Sequence, residues 1–495
     1  MGVRKRFICL AVAICFISSG CGHREKLYHA SPVSLPGITD KMNAAGFWIS
    51  RHPSPDKEIL SPSGICALNA EMEALKITHR VINMRPVYSG ELLRNDIRSH
   101  ITSFYGRGLY LRDGRKAGLT FYREIEKTIG LAKIPETIDV GFGLLIRNAD
   151  ERIIPTEEGL YAKPGDLCFD EVQNSGLDIG AAVAVIYKST DGLWTYVIND
   201  TDAGWVRSDR IVLSSLEDLR RHKDSSVPKV IVTARRADIF LDEALTEYYD
   251  HARMGTRLTP GGRETADAYE VTLPAKAANG DYAPLQGYVR KKDVSPGYLA
   301  YTSRNIIDQA FRLLSAPYGW GDKGGGQDCS RFIQEIFATV GVLMPRNSGH
   351  QAKVGRIVGE YAPGGHTVEK TLALKKEGIG GVTILQLKGH IMLYLGEIDG
   401  NPYVIHSVWG YREPDLLEDR VRVIGRVAVT DASLGEGSQK GSLLERILTI
   451  RNVDKSNETS VNSGPEKSCT TGDGLRPDGW IHPPASQTET VRPAS

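Results

Sequence analysis

The residues best suited to covalent chemistry lie in one stretch, Tyr318-Gly-Trp-Gly-Asp-Lys-Gly-Gly-Gly-Gln-Asp-Cys329-Ser-Arg-Phe-Ile-Gln-Glu-Ile-Phe-Ala-Thr-Val340. After Cys329 the apolar residues Phe332, Ile333, Ile336, Phe337 and Val340 mark one face of a helix. Cys329 therefore belongs to the first turn of that helix, directly after a loop with five glycines between 319 and 326, which leave it openly accessible. Unpaired N–H groups and the positive end of the helix dipole stabilise a thiolate there. A nucleophilic thiol also needs a base, which later protonates the leaving amine. His390 is the candidate, at the start of the apolar strand Lys388-Gly-His-Ile-Met-Leu-Tyr-Leu-Gly396. His406, in Tyr403-Val-Ile-His-Ser-Val-Trp409, is placed to orient the imidazole. A lone helical cysteine is more often a buried structural thiol. Here the helix start, the glycines before it and a strand-opening histidine downstream coincide, and chemistry is the better reading.

That reading carries a geometric condition. If Asp399-Gly400 is a two-residue hairpin loop, His406 faces Leu393, whose side chain points away from His390 because strand side chains alternate. Both histidines reach one site only if the loop is odd-numbered or the ladder carries a bulge. Pro402, which has no N–H to donate, is the place where irregularity is expected.

The 495-residue chain is long enough for several domains. With 41% hydrophobic and 24% charged residues it is globular, and a net charge of +1 speaks against a large nucleic-acid surface. Arg4, Lys5 and Arg6 precede the apolar stretch Phe7 to Ile17 and Ser18-Ser-Gly-Cys21, the pattern of an export signal over 1–20. Residues 21–40 read as a tether, 41–138 as a mostly helical N-terminal region. Helices are expected after Ser63, which caps Ile65, Leu68, Met72 and Leu75, and over Leu119 to Ile129. From 139 to 298 the texture is of short alternating strands. The hairpin around Thr190-Asp-Gly-Leu193 and the endings Gly204-Trp-Val and Gly287-Tyr-Val suggest two small β-barrels, 139–218 and 219–298. The chemistry falls in an α+β domain over 299–430. Beyond it, 431–495 is rich in Ser, Gly, Thr, Asn and Pro and reads as mostly disordered, apart from a short helix at Leu443 to Ile450. Cys66, Cys168, Cys329 and Cys469 show no zinc-binding spacing, and neither a metal nor a cofactor is expected.

Tyr318-x-Trp320-Gly321, Asp328-Cys329-Ser330, Gly389-His390-x5-Gly396 and His406-Ser407 together resemble the NlpC-type cysteine peptidases, a bacterial cell-wall family with a papain-like fold. The resemblance covers about 300–430. It implies that Cys329 is the nucleophile, His390 the base and His406 the third residue. Tyr318, Asp328 and Ser330 resemble positions that hold the substrate's peptide stem, and Pro345-Arg-Asn347-Ser348 matches a segment lining the same pocket. Arg331 departs from the family, which usually has Gly there. Phe47-Trp-Ile49, Ile154-Pro-Thr156 and Ser189-Thr-Asp-Gly-Leu-Trp194 are similar to a multidomain subgroup in which a stabilising domain and two SH3-like barrels precede the peptidase.

The resemblance implies a hydrolase of peptidoglycan stem peptides, cutting γ-D-glutamyl to diamino acid (meso-diaminopimelate) bonds. In that subgroup the first barrel closes one end of the cleft and selects stems with a free N-terminal L-Ala. Asp328, with Glu157 or Glu158 and Tyr196 of the barrel, are the expected amine readers. An amidase or acyltransferase on the same scaffold, or a non-catalytic wall-binding protein, are the alternatives. Small residues before Cys21 resemble a lipoprotein signal, so acylated Cys21 would anchor a monomer in the outer membrane, facing the periplasm.

Overall fold

The computed structural model describes residues 28–223, 228–416 and 418–455. The export signal 1–20, Cys21 and the tail from 456 on lie outside them. Three seven-stranded sheets organise the described chain. The first is antiparallel and runs from Gly141–Leu145 to Ile211–Ser214; the hairpin read from sequence is there, with Tyr187 opposite Tyr196. The second spans Val230–Val232 to Val294–Pro296. The third carries the histidines and is built mainly from 356–452. Among the described residues no helix is long and apolar enough to cross a membrane.

The N-terminal region departs from the mostly helical expectation. It has four α-helices, Ala45–Ile49, Pro62–Ala74, Gly90–Arg107 and Leu119–Ile129, but also the short strands Glu58–Leu60, Val87–Ser89 and Thr137–Asp139. Nor does it form a core of its own. Trp48, Ile49, Leu68 and Met72 pack into the cluster that holds Cys329, Ile336 and Phe337, whereas Leu93, Ile97, Tyr122 and Ile125 pack with Tyr196, Trp205 and Val212 of the first sheet. The region is two buttresses, each completing a neighbour's core. The cap of Pro62–Ala74 is Ser61, which accepts from the Gly64 N–H, with Pro62 at the first helical position; Ser63 lies inside the helix.

Two further readings are corrected. The segment read as a tether is packed over its described part, 28–40. His29–Ala30 pairs with Arg422 and Val423, Tyr28 meets Trp409 edge-on at 4.7 Å, and Leu35 is buried. The stretch from 431 to 455, read as disordered, is structured. Leu443–Arg446 is helical and Ile447–Asn452 is a strand between Thr383–Leu387 and Arg356–Glu360. Leu443, Ile447, Ile450 and Val453 are buried there, so four apolar residues outweigh the polar composition around them. Cys168 is a free, exposed thiol, so Cys66, which is disulfide-bonded, has another partner.

A buried ion network joins the sheets. Asp178, just past the first sheet's edge strand Gln173–Leu177, accepts from Arg253 Nε at 2.6 Å and from Arg331 Nη2. Burial works against its charge, but the two guanidinium groups more than offset it and hold the carboxyl down to about 2. A carboxyl whose folded pKa is depressed stabilises the fold above its unfolded value near 4 and loses that contribution as pH falls towards 2. We expect about 2 kcal/mol to disappear between those pH values. Melts of wild type and Asp178→Asn should therefore differ at pH 6 and converge near pH 2; a constant difference would rule this ion cluster out as the acid-sensitive joint.

Candidate active site

The helix expected after the glycine loop is Cys329–Ala338. Asp328 is its N-cap and accepts from the Arg331 N–H at 2.9 Å, so Cys329 occupies the first helical position. The apolar face of this helix packs on Ile391, Leu393 and Ile405 of the histidine strands. The incoming loop is fastened to the same sheet. Tyr318 N–H donates to Gly425 O, and Ser407 Oγ donates to Gln327 O at 2.7 Å. The glycines do not give open access. Chain segments pass so closely that a Cβ on Gly326 would lie 2.7 Å from Gly319 N, and one on Gly321 would meet Gln173 of the first sheet at 2.6 Å. Close approach is what demands glycine here.

His390 and His406 share one site by the bulge that the register required. The loop is two residues long, with Ile398 opposite Asn401. The ladder then skips Leu395, since Gly396 pairs with Tyr403 but Tyr394 pairs with Val404. Continued from Leu393 opposite Ile405, that register sets His406 opposite Met392, on the same face as His390. Gly396, at φ +142°, supplies a conformation that L side chains rarely adopt. The irregularity therefore lies at Leu395-Gly396; Pro402 pairs regularly with Glu397. His390 Nε2 is 2.6 Å from His406 Nδ1, and His406 Nε2 is 2.9 Å from Thr430 Oγ1. Thr430 was not singled out from sequence. It sits in Arg420–Asp431, two residues along from Ala428, which faces His406 directly.

All three groups are buried and shifted towards neutrality. Burial, followed by the charge of Asp328, pushes the Cys329 thiol up to about 12, against favourable N–H groups of Ile391 and Ser330. Burial and then Arg446 bring His390 down to about 3; burial and His390 lower His406 further below its usual range. At rest the pair is therefore neutral, and the proton moves from thiol to imidazole as attack begins.

The tautomers follow from the chain of bonds. If His406 Nε2–H donates to Thr430 Oγ1, its Nδ1 accepts from His390 Nε2–H, and His390 Nδ1 is left unprotonated, the form that can take a proton. If Thr430 donates instead, the order reverses and His390 Nδ1 carries a proton. Thr430 as acceptor therefore holds the competent arrangement. Thr430→Val should lower turnover about tenfold and Thr430→Ser should restore it, while His406→Ala should keep partial activity. Full activity in Thr430→Val would remove Thr430 from the relay.

The stem-binding positions fare unevenly. Tyr318 lies beside the thiol; burial, then the charges of Cys329 and Asp328, drive its phenol well above the usual range. Asp328 and Ser330 are buried and bonded to each other at 2.9 Å. Arg346, which lies in the expected pocket-lining segment but had no role of its own there, holds both, donating to Asp328 Oδ2 at 2.7 Å and to Ser330 Oγ at 2.8 Å. The hydrogen bonds to Asp328 thus come from Ser330, Arg331 and Arg346 of the protein itself. Asn347 caps the short helix Ser348–Gln351 and its side chain is turned to His350, while Gln351 reaches back to Ser330 O at 2.8 Å. Ser348 opens that helix. Arg331 bonds Glu335 of its own helix and Asp178 beside the first sheet, and so joins the two.

The barrel residues expected to read an amine have partners of their own. Tyr196 is buried and donates to Asp96 at 2.8 Å, Glu158 accepts from the Arg112 N–H, and Glu157 is exposed beside Arg207. Their place beside the site is taken by the edge strand Gln173–Leu177. Gln173 Nε2 donates to Gly321 O at 3.0 Å, Gly176 N–H to Asp322, and Ser175 Oγ accepts from Arg346 Nε. Phe169 stands edge-on to both Trp320 (5.5 Å) and Trp409 (4.9 Å).

Residues 315–412 match the model of the NlpC/P60 family, and 160–207 match an SH3 domain of the SH3b1 type. The chain is 29% identical over 201 residues to a γ-D-glutamyl-L-lysine dipeptidyl-peptidase of Bacillus cereus, covering 38% of this chain and 53% of that protein. It is 33% identical over 103 residues to the protein of the same name from Bacillus subtilis, covering 19% and 35%. The chain thus spans about half the length of the first and about a third of the second. A solved structure of an NlpC/P60 endopeptidase from Photobacterium damselae subsp. piscicida is 20% identical, with a TM-score of 0.70 over 87% of this chain and 99% of that one. The chain carries an NlpC/P60 domain and an SH3b1-type domain in a fold shared with that structure.

Proposed function

We propose that this protein is a cysteine peptidase of peptidoglycan stem peptides that cuts the bond between γ-D-glutamyl and the following diamino acid. The observation that carries the reading is the relay from Thr430 through His406 and His390, which lies on the strand packed against the Cys329 helix. As Cys329 Sγ attacks the carbonyl carbon, His390 Nδ1 takes the thiol proton, and later gives it to the departing amine. The oxyanion forms among backbone N–H groups at the helix start. Water then cleaves the thioester, with His390 again accepting the proton. The two curated relatives are named for γ-D-glutamyl-L-lysine substrates, which supports a γ-D-glutamyl specificity.

Short stems with a free N-terminal L-Ala are the proposed substrates. The support is the first sheet's edge strand, which packs on the loop before Cys329 and limits the room for a stem still attached to glycan. Export through the 1–20 signal and a lipid anchor on Cys21 belong to the same proposal.

Mass spectrometry of products from L-Ala-γ-D-Glu-meso-diaminopimelate should show free diaminopimelate with wild type and none with Cys329→Ala. Release of L-Ala, or no cleavage by wild type, would overturn the reading.

A further inference from the structure

Beside His390 lies a basic cavity that the relay does not use. It has a volume of about 440 Å³ and is lined by Gly364, Gly365, Lys388, Lys440, Glu445 and Arg446. The sheet register places it. Leu387 pairs with His390 on one side and with Ile447 on the other, so Lys388, His390 and Arg446 lie at one end of three neighbouring strands. Its one acidic side chain is already engaged, because Glu445 Oε2 accepts the Ser442 N–H in a capping box. Arg446 is partly buried, and among the described residues its guanidinium has no hydrogen bond or ion pair; the charged group acting on it is another cation, Arg412. Burial and that repulsion lower it to about 10, so it stays charged near neutral pH. A half-desolvated, unpaired guanidinium beside a catalytic imidazole is costly unless an anion is to be received there.

On the peptidase reading proposed above, the anion's identity follows from the chemistry. His390 hands its proton to the departing amine, so the residue bearing that amine must lie against His390. Lys388 and Arg446 are then its neighbours. We infer that this cavity receives the leaving diamino acid and that Arg446 binds a carboxylate on it, favouring diaminopimelate, whose side chain ends in a carboxylate beside its amine, over lysine, whose side chain ends in a cation alone. A fork of N–H donors on a carboxylate is the geometry in which arginine binds best, and lysine's ammonium meets like charge.

The test uses three peptides, L-Ala-γ-D-Glu-meso-diaminopimelate, the same peptide with the side-chain carboxyl amidated, and L-Ala-γ-D-Glu-L-Lys. Binding to the Cys329→Ala protein is measured calorimetrically, and turnover is measured with Cys329 intact. The free-carboxylate peptide should bind about tenfold or more tighter than the other two. Arg446→Gln should shrink that preference to about twofold, through weaker binding of the free-carboxylate peptide and binding of the lysine peptide that is no weaker than before. Equal binding of the three peptides, or a preference that survives Arg446→Gln, overturns the inference. Binding with the expected order but no turnover by wild type would support the cavity's role and count against the peptidase reading instead.

Discussion

Cys329→Ala is expected to lower turnover of stem peptides by at least about 10⁴-fold, and His390→Ala by a comparable factor. Neither loss should come from unfolding. The small cysteine side chain sits at the end of its helix, and the packing face is carried by Phe332, Ile333, Ile336 and Phe337, which are fully buried. His390 opens its strand, whose ladder bonds are made by the backbone. Thermal melts of both variants should therefore stay within about 4 °C of wild type, the shift that ~1 kcal/mol produces in a domain of this size. A second expectation separates a neutral resting pair from an ion pair. With the thiol pushed up to about 12 and His390 down to about 3, the resting site holds no thiolate near pH 7. Alkylation of Cys329 by iodoacetamide should then accelerate about tenfold per pH unit from pH 7 to 9. A rate already constant from pH 5 would show a preformed thiolate and reverse the direction of proton flow argued here.

The sequence was most informative where one residue type has one plausible job. Cys329 at a helix start and His390 at a strand start are local features, visible as a change of hydrophobic period on either side of a glycine loop. The need for a bulge between the histidines was also legible, because parity alone forbids both from facing one site across a two-residue loop. Its position was not. Pro402 looks irregular in isolation, but Gly396 takes the unusual φ and Leu395 is the residue skipped. Thr430 had no signal at all, since a threonine in an apolar strand is ordinary and becomes a relay partner only through cross-strand pairing.

Composition misled where a few apolar residues act through long-range contacts. Residues 28–40 and 431–455 are polar on average, yet His29–Ala30 and Ile447–Asn452 become strands of the histidine sheet. The N-terminal helices misled differently. Their amphipathic spacing is real, but the partners that cover their apolar faces lie far along the chain, in the first sheet and in the Cys329 domain.

Arg346 is the residue whose replacement should cost most stability. It is buried, and its donors are taken up by Ser175 Oγ (2.8 Å), Ser330 Oγ (2.8 Å) and both oxygens of Asp328 (2.7 and 3.2 Å), with Asp322 3.5 Å away. Burial opposes the Asp328 charge, but Arg346 holds that carboxyl below its usual range. Removing the guanidinium strips buried Asp328 of its counter-charge, while Asp322 keeps Arg253 at 3.8 Å and Arg331 at 4.0 Å; breaking the Asp328 pair costs about 3–5 kcal/mol. Arg346→Met should therefore melt at least about 6 °C below wild type. Arg346→Lys should recover only part of this, because an ammonium cannot fork across Asp328 while reaching Ser175. Activity should fall as well, through geometry: Asp328 caps the helix that carries Cys329, and Arg346 ties that cap to Ser175 of the first sheet, beside the Gln173 and Gly176 contacts. Asp328→Asn in the Arg346→Met background supplies the control. It removes the stranded charge, so the double variant should be at least about 1 kcal/mol more stable than the sum of the single effects. Additive losses, or an Arg346→Met protein that melts with wild type, would mean that Asp328 is compensated from elsewhere and that Arg346 does not hold the cysteine helix in place.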